Sequence, residues 1–351
     1  MVLSGELFRI QYTFFWHLAQ WLFRPDQIVF YCPEMIDYYS FAPVLKHLPP
    51  IKIASNSAEV RRQLAQKGIA VKRLPAFPRC VIMCRHATHR FPCSSIVKVG
   101  LRHGAYHFKR LTRADNYNRF DLYLFTSQSD LEAALDIGVK VGQAVGFPRL
   151  DPAFDGSITK DTLDALSADL KLDPSKSTLL FTATWDKSGM SGIVLWHDRL
   201  NELAAEHNVL VTAHPWTDKH FLTKIKAAPE VRFLNTTDLT SYIMLADIVI
   251  GDTSSLLADC SALGKQIIRF RTGKARRSLE EIDTLLDMMS VSISTFEELP
   301  PAIDRLCKNP EQLKGGQAKA NAVMFDILDG KAGKRAADAI TELLQERKLW
   351  P

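Results

Sequence analysis

The chain has 351 residues, 46% of them hydrophobic and 24% charged. These are the proportions of a folded globular protein and exclude a disordered or fibrous one. At that length one hydrophobic core stops growing efficiently, so two domains of roughly 150 residues are expected, with a cleft between them. The formal charge of +5 is modest but unevenly spread, because no acidic residue occurs between Glu59 and Asp115. That span includes Arg61, Lys72, Arg79, Arg85, Arg90, Lys98, Arg102, Lys109 and Arg113. It reads either as a positive wall facing an anionic partner or as a solvated basic face. It holds no recognisable nucleic-acid module, so nucleic acid is not an expected partner. A second acid-free stretch, Cys260 to Ser278, carries Lys265, Arg269, Arg271, Lys274, Arg276 and Arg277. Both stretches are expected to meet across one cleft.

The first residues place Leu3, Leu7, Phe8, Ile10, Phe14, Phe15, Leu18, Trp21, Leu22 and Phe23 in one helical segment, residues 1–24. Glu6, Arg9, Gln11, His17 and Gln20 interrupt any apolar run of about 18 residues, so a membrane-spanning helix is not predicted. Two readings stand: a helix lying in a membrane interface, or one packed on the body of the protein.

Short apolar runs alternate with helical patterns thereafter. Strands are predicted at 27–31, 51–54, 70–74, 80–83, 96–101 and 122–126, with helices over 57–67 and 128–135. This alternation implies parallel strands with helical crossovers, covered on both faces. Around residues 151–174 the chain becomes polar and rich in proline and glycine, as a domain connection would. The pattern then restarts, with strands at 178–182, 209–213, 231–234, 248–250 and 267–270. The expected fold is α/β, with two Rossmann-like domains, 25–155 and 173–330, facing across a cleft. A last helix, within 331–351, has Ala336, Ala339, Ile340, Leu343 and Leu344 on one face and must dock back on the body.

Six cysteines form no paired framework and no stretch reads as a cleavable leader, which predicts a reducing, cytoplasmic setting. Cys80, Cys84, His86, His89 and Cys93 cluster in sequence, but their spacing matches no CxxC pair, and zinc is not predicted. No Asp-x-Asp motif occurs anywhere, so no divalent metal or other cofactor is expected.

In open α/β sheets ligands bind beyond the carboxyl ends of the strands. Three strand exits there carry chemistry. Gly100-Leu101-Arg102-His103-Gly104 delivers a histidine into a glycine turn. Thr212-Ala213-His214-Pro215 fixes another histidine ahead of a proline. Gly251-Asp252-Thr253-Ser254-Ser255 opens a helix; Thr253 or Ser254 is expected to cap it, leaving the amides of Ser254, Ser255 and Leu256 free for an anion such as phosphate.

With these stand His103-Gly104 followed by Lys109, Phe125-Thr126-Ser127, Gly146-Phe147-Pro148-Arg149-Leu150-Asp151, Phe181-Thr182-Ala183-Thr184-Trp185 and Ala246-Asp247-Ile248-Val249-Ile250. In order and spacing, over about two thirds of the chain, this set resembles the CDP-glycerol glycerophosphotransferase family of teichoic-acid and capsule polymerases and primases. The chain departs from the family pattern at Arg102 and Thr253.

The resemblance implies a GT-B architecture with an N-terminal acceptor domain and a C-terminal nucleotide-donor domain. It implies peripheral attachment to the cytoplasmic membrane face, and transfer of glycerol phosphate or a related polyol phosphate from a CDP-activated donor. The acceptor is a hydroxyl of an anionic polymer or its lipid-linked primer. His103, His214 and Asp252 form the implied catalytic group, with His103 as general base, His214 on the donor pyrophosphate, and Asp252 orienting its loop or touching the donor. Thr253, Ser254, Ser255, Thr184 and Arg149 are implied donor contacts, and Arg102 and Lys109 anion or acceptor contacts. The competing expectation on the same fold is a nucleotide-sugar enzyme, either a capsule or lipopolysaccharide glycosyltransferase or a relative of UDP-GlcNAc 2-epimerase.

Overall fold

A computed structural model describes residues 2–23, 27–107, 111–273 and 279–350, with side chains from residue 5 onward. Lys109, Arg110, Lys274, Arg276 and Arg277 therefore lie outside the described residues. The chain divides into two compact units, Met1–His103 with Thr112–Asp151 and Leu328–Pro351, and Gly104–Leu111 with Pro152–Ile327.

The first unit is built on seven parallel strands: β1 (Ile28–Tyr31), β2 (Lys52–Ser55), β3 (Val71–Arg73), β4 (Cys80–Met83), β5 (Val97–Leu101), β6 (Leu122–Phe125) and β7 (Gly142–Ala144). Their order is β3-β2-β1-β4-β5-β6-β7. The central strands β1, β4 and β5 are buried along their whole length, as continuous apolar runs in a sheet covered on both faces must be. Register pairs Val29 with Lys52 and Val81, and Ile82 with Val99.

The second unit carries six parallel strands: β8 (Thr178–Phe181), β9 (Asn208–Val211), β10 (Val231–Phe233), β11 (Ile248–Gly251), β12 (Gln266–Phe270) and β13 (Val291–Ile293). Their order is β10-β9-β8-β11-β12-β13. Both units thus show the doubly wound order that reverses beside the first strand of each half, where such sheets bind ligands.

The N-terminal helix, Val2–Leu22, is docked by one face only. Tyr12, Trp16 and Ala19 are buried. Its polar side chains reach the turn at 76–78: Tyr12 Oη donates to the Ala76 carbonyl at 2.5 Å, Trp16 Nε1 to Pro78 at 2.6 Å and Gln20 Nε2 to Phe77 at 2.8 Å. The opposite face stays open, with Phe14 62%, Trp21 80% and Phe23 74% exposed. No helix among the described residues is long and apolar enough to cross a membrane.

The C-terminal helix, Ala332–Glu346, packs in the first unit, its Ala336, Ala337, Ile340 and Leu344 sharing a core with Phe30, Phe41 and Ile82. Asp151 pins its first turn by accepting from the amides of Ala332 (3.1 Å) and Gly333 (2.6 Å). A carboxylate there satisfies orphan helix donors and complements the helix dipole. Gly146 stands beside the same turn with φ +90°, and a Cβ on it would lie 2.9 Å from Arg335 Nη2 and 3.0 Å from Ala332 Cβ. The Gly146-to-Asp151 motif is thus a clasp on the last helix. Gly146→Ala combines a left-handed backbone with a clash, so it is expected to destabilise the first unit by about 2 kcal/mol. A thermal melt identical to wild type would contradict this.

Several cations of the two acid-free stretches turn inward rather than towards an anionic partner, while Lys72, Arg79 and Arg90 stay exposed. Lys98 is buried, its ammonium donating to the carbonyls of Cys93 (3.0 Å) and Ile96 (2.8 Å), and burial lowers its pKa against the pull of Asp121. Lys265 Nζ donates to the Met244 carbonyl at 2.7 Å. Arg269 is buried against Asp283 and Asp287, both at 3.2 Å. Local counting missed these partners because several sit on neighbouring elements. Cys80, Cys84 and Cys93 are also buried, and His86 stacks on the Tyr123 ring at 5.4 Å. Among the described residues, no group of three or more His, Cys, Asp or Glu could hold a metal ion.

Candidate active site

His103 lies two residues beyond β5 and is exposed. Its Nδ1 is 3.1 Å from the Cys84 carbonyl at the exit of β4. A carbonyl only accepts, so Nδ1 carries the proton and Nε2 keeps its lone pair. The His103 carbonyl accepts from Arg149 Nη1 (3.3 Å) and Ser40 Oγ (3.4 Å). Behind it, Arg85 Nε donates to Asp37 at 2.9 Å and Arg85 Nη2 to Glu34 at 2.7 Å. Asp37 is fully buried, and burial raises its pKa against the opposing Arg85 charge. The strand exit that carries Cys84 is therefore tied to the helix Met35–Leu45 by an ion-pair network.

Surrounding protein first, then the charges of Arg85 and Arg149, push the His103 pKa down to about 4. The ring's exposure to solvent works against the first cause, so the downward direction rests more firmly on the two guanidiniums. Either way His103 is neutral near pH 7, as a base must be before it takes a proton.

Arg102 does not face an anion. Its guanidinium points inward to the fully buried Asp130, with Nε 2.7 Å from Oδ2, and lies 5.3 Å from the Phe125 ring centroid. Asp130 is held in turn by the Thr126 hydroxyl (3.3 Å), and Ser127 Oγ caps the helix Gln128–Asp136 by accepting from the Asp130 amide (3.0 Å). The expected anion contact is thus a structural pair, whose acidic partner lies 28 residues away. Arg149 is placed with His103 in the first unit, holding its backbone.

In the second unit, Asp252 follows β11 and is fully buried. Its carboxylate accepts from the amides of Thr184 (2.9 Å), Gly192 (2.8 Å) and Ser254 (3.0 Å). Burial raises its pKa, while hydrogen bonds from Gly192 and Thr184 oppose the rise. Of the two roles expected of Asp252, orienting its loop is the one these contacts serve. Thr184 is buried too, with its hydroxyl 3.3 Å from that of Thr253, which donates to the Met190 carbonyl at 3.4 Å.

The expectation of three free amides needs correction. The Ser254 amide is taken by Asp252, and the Leu256 amide donates to Ser254 Oγ at 3.3 Å. The cap position of the short helix Leu256–Ala262 falls on Ser255, not on Thr253 or Ser254 as expected, and the Ser255 side chain makes no cap bond. Thr253, Ser254 and Ser255 remain half-buried on a loop braced from below. Gly104, the residue after His103, abuts this loop: a Cβ on it would meet Ser255 Oγ at 3.6 Å.

His214 follows β9, on the same side of the sheet. The Trp216 amide donates to its Nδ1 at 3.2 Å, so the proton sits on Nε2. Its tautomer is the mirror of that at His103: Nε2 donates in one and accepts in the other. Sequence reasoning gave Trp185 no role beyond its place in a motif and passed over Trp216; their rings lie 5.5 Å apart at the exits of β8 and β9. The signal was an aromatic directly after His214-Pro215. It also passed over Glu34, Asp37 and Asp130, whose roles depend on partners distant in sequence.

Residues 101–342 match the family CDP-Glycerol:Poly(glycerophosphate) glycerophosphotransferase. No curated protein matches the chain in sequence. Among solved structures, the chain is similar to a variant of the wall teichoic acid polymerase TagF soaked with CDPG, with 14% identity, TM-score 0.71 and coverage of 99% of this chain and 97% of that one. It is also similar to UDP-GlcNAc 2-epimerase from Neisseria meningitidis bound to UDP-GlcNAc, with 13% identity, TM-score 0.63 and coverage of 90% and 99%. S. aureus MnaA with UDP is similar at 11% identity and TM-score 0.66, with coverage of 93% and 99%. These likenesses give the fold, two doubly wound α/β units of GT-B type. The family match covers well over half of the chain and every motif quoted for the resemblance, and the chain belongs to the CDP-glycerol glycerophosphotransferases, a family of transferases.

Proposed function

We propose that the chain transfers glycerol phosphate, or a related polyol phosphate, from a CDP-activated donor to a hydroxyl of an anionic cell-surface polymer or its lipid-linked primer. The observation that carries the mechanism is the His103 Nδ1–H bond to the Cys84 carbonyl, which fixes a neutral imidazole with its Nε2 lone pair available. Nε2 removes the acceptor's proton as its oxygen attacks the phosphorus that bears the polyol. The bond from that phosphorus to the bridging oxygen breaks, and CMP leaves with the electron pair. Charge builds on the non-bridging oxygens and on the departing phosphate. Hydroxyls of Ser254 and Ser255 and the Nε2–H of His214 are suited to meet it, since donors fixed in place need no reorganisation during the step.

Ligand-dependent thermal unfolding tests the donor class, because a ligand that binds only the native state raises the melting temperature by mass action. CDP-glycerol or CMP is expected to raise it, and Ser254→Ala/Ser255→Ala to abolish the rise. A rise with UDP-GlcNAc alone would favour a nucleotide-sugar enzyme instead.

The open face of the N-terminal helix is proposed to lie in the interface of an anionic bilayer on the cytoplasmic side. Phe14, Trp21 and Phe23 are exposed, and the helix docks beside exposed Arg79 and Arg90. Aromatic groups fringed by arginines suit the boundary between acyl chains and anionic headgroups. Co-sedimentation with phosphatidylglycerol vesicles is expected for wild type and several-fold weaker for Phe14→Ser/Trp21→Ser. Equal sedimentation of both would contradict it.

A further inference from the structure

We infer that Trp216 is the stacking surface for the donor's nucleobase, held in place by Trp185 and His214. The inference rests on the nucleotide-donor reading above and assigns the part of that ligand which the serine loop does not address.

Trp216 is 61% exposed, in a loop where an indole gains nothing by facing water. The ring is nonetheless fixed. Trp185 meets it at 5.5 Å and 84°, and His214 at 5.2 Å and 70°. Its amide is held by His214 Nδ1 at 3.2 Å, and the next amide, Thr217, donates to the His214 carbonyl at 2.9 Å. Two residues on, the Asp218 amide donates to Asp186 Oδ1 at 3.0 Å, joining the loop after β9 to the loop after β8. An apolar ring that is both exposed and immobilised has its ordering cost met before any ligand arrives.

The location matches. Trp185 and Trp216 follow adjacent strands β8 and β9, and the serine loop follows β11, the other neighbour of β8. All three lie at the carboxyl ends of one parallel sheet, where nucleotides bind. Phosphates suit hydroxyls and His214 Nε2–H, whereas a base offers a flat π-face, which an indole matches. Stacking tolerates any base, so Trp216 supplies affinity rather than a choice of cytosine over uracil.

The test titrates wild type, Trp216→Ala, Trp216→Phe and His214→Ala with CMP, UMP and inorganic pyrophosphate by calorimetry. Trp216→Ala is expected to weaken CMP and UMP alike by about tenfold. It should leave pyrophosphate affinity and the melting temperature unchanged, and Trp216→Phe should recover most of the loss. His214→Ala is expected to weaken pyrophosphate. Wild-type CMP affinity in Trp216→Ala would overturn the stacking role while leaving the donor reading in place. Parallel loss of pyrophosphate affinity would also overturn it, by showing that the loop had collapsed. If wild type binds pyrophosphate but no pyrimidine nucleotide, the donor reading fails and the stacking role with it.

Discussion

Replacing His103 with alanine is expected to lower turnover by roughly two to four orders of magnitude, the usual contribution of a positioned general base, with donor-induced stabilisation retained. The split follows from geometry. His103 belongs to the first unit and is fixed by the Cys84 and Arg149 contacts, whereas the serine loop and His214 belong to the second. Removing an exposed ring leaves the donor loop untouched. The pH dependence carries a second expectation. A base is active when deprotonated, so activity falls as pH drops through its pKa. With that pKa pushed down to about 4, kcat/KM is expected to be flat on the acid side from neutrality to below pH 6. In Arg85→Gln, which removes a nearby positive charge, the acid limb should move upward. An acid limb at 6.5 in wild type, the value of an unperturbed histidine, would contradict the surroundings assigned to His103. Unchanged turnover in His103→Ala would remove it from the reaction.

Asp252→Ala is expected to be the most destabilising single change in the second unit. The fully buried carboxylate gathers the amides of Thr184, Gly192 and Ser254, from three separate segments. Hydrogen bonds to a charged group contribute about 1.5–3 kcal/mol each, and buried amides left without a partner add their own penalty. A loss of at least about 3 kcal/mol follows, together with loss of donor binding. Asp252→Asn should recover little, since its amide group presents a donor to other donors. Calorimetric unfolding checks both, and a wild-type melt for Asp252→Ala would show that the loop stands without its anchor.

The sheets were legible because their strands are continuous apolar runs. Ile28–Tyr31, Cys80–Met83 and Ile248–Gly251 are buried throughout, so composition alone marks them. Elements lacking that pattern escaped. β7 is only Gly142-Gln143-Ala144 and not fully buried, and β13 is three residues long. The helix Met35–Leu45 contains Pro43, which reads as a breaker. Strand-exit logic put His103, His214 and the serine loop at the carboxyl ends of their own sheets, because parallel sheets send such loops to one end. It failed where a side chain's direction depended on a distant partner, as Arg102 on Asp130 and Arg85 on Asp37. The Ser254 amide was within reach of sequence reasoning: an aspartate two residues before an amide commonly captures it.

The central claim is that this chain cleaves a CDP-alcohol at the phosphorus bearing the alcohol, using His103 as base. The most direct measurement is the nucleotide released when purified protein is given CDP-glycerol with a lipid-linked acceptor, followed for wild type and His103→Ala. The account predicts CMP, formed in step with glycerol phosphate on the acceptor and nearly absent in the variant. Release of UDP from UDP-GlcNAc, with CDP-glycerol left intact, would contradict it.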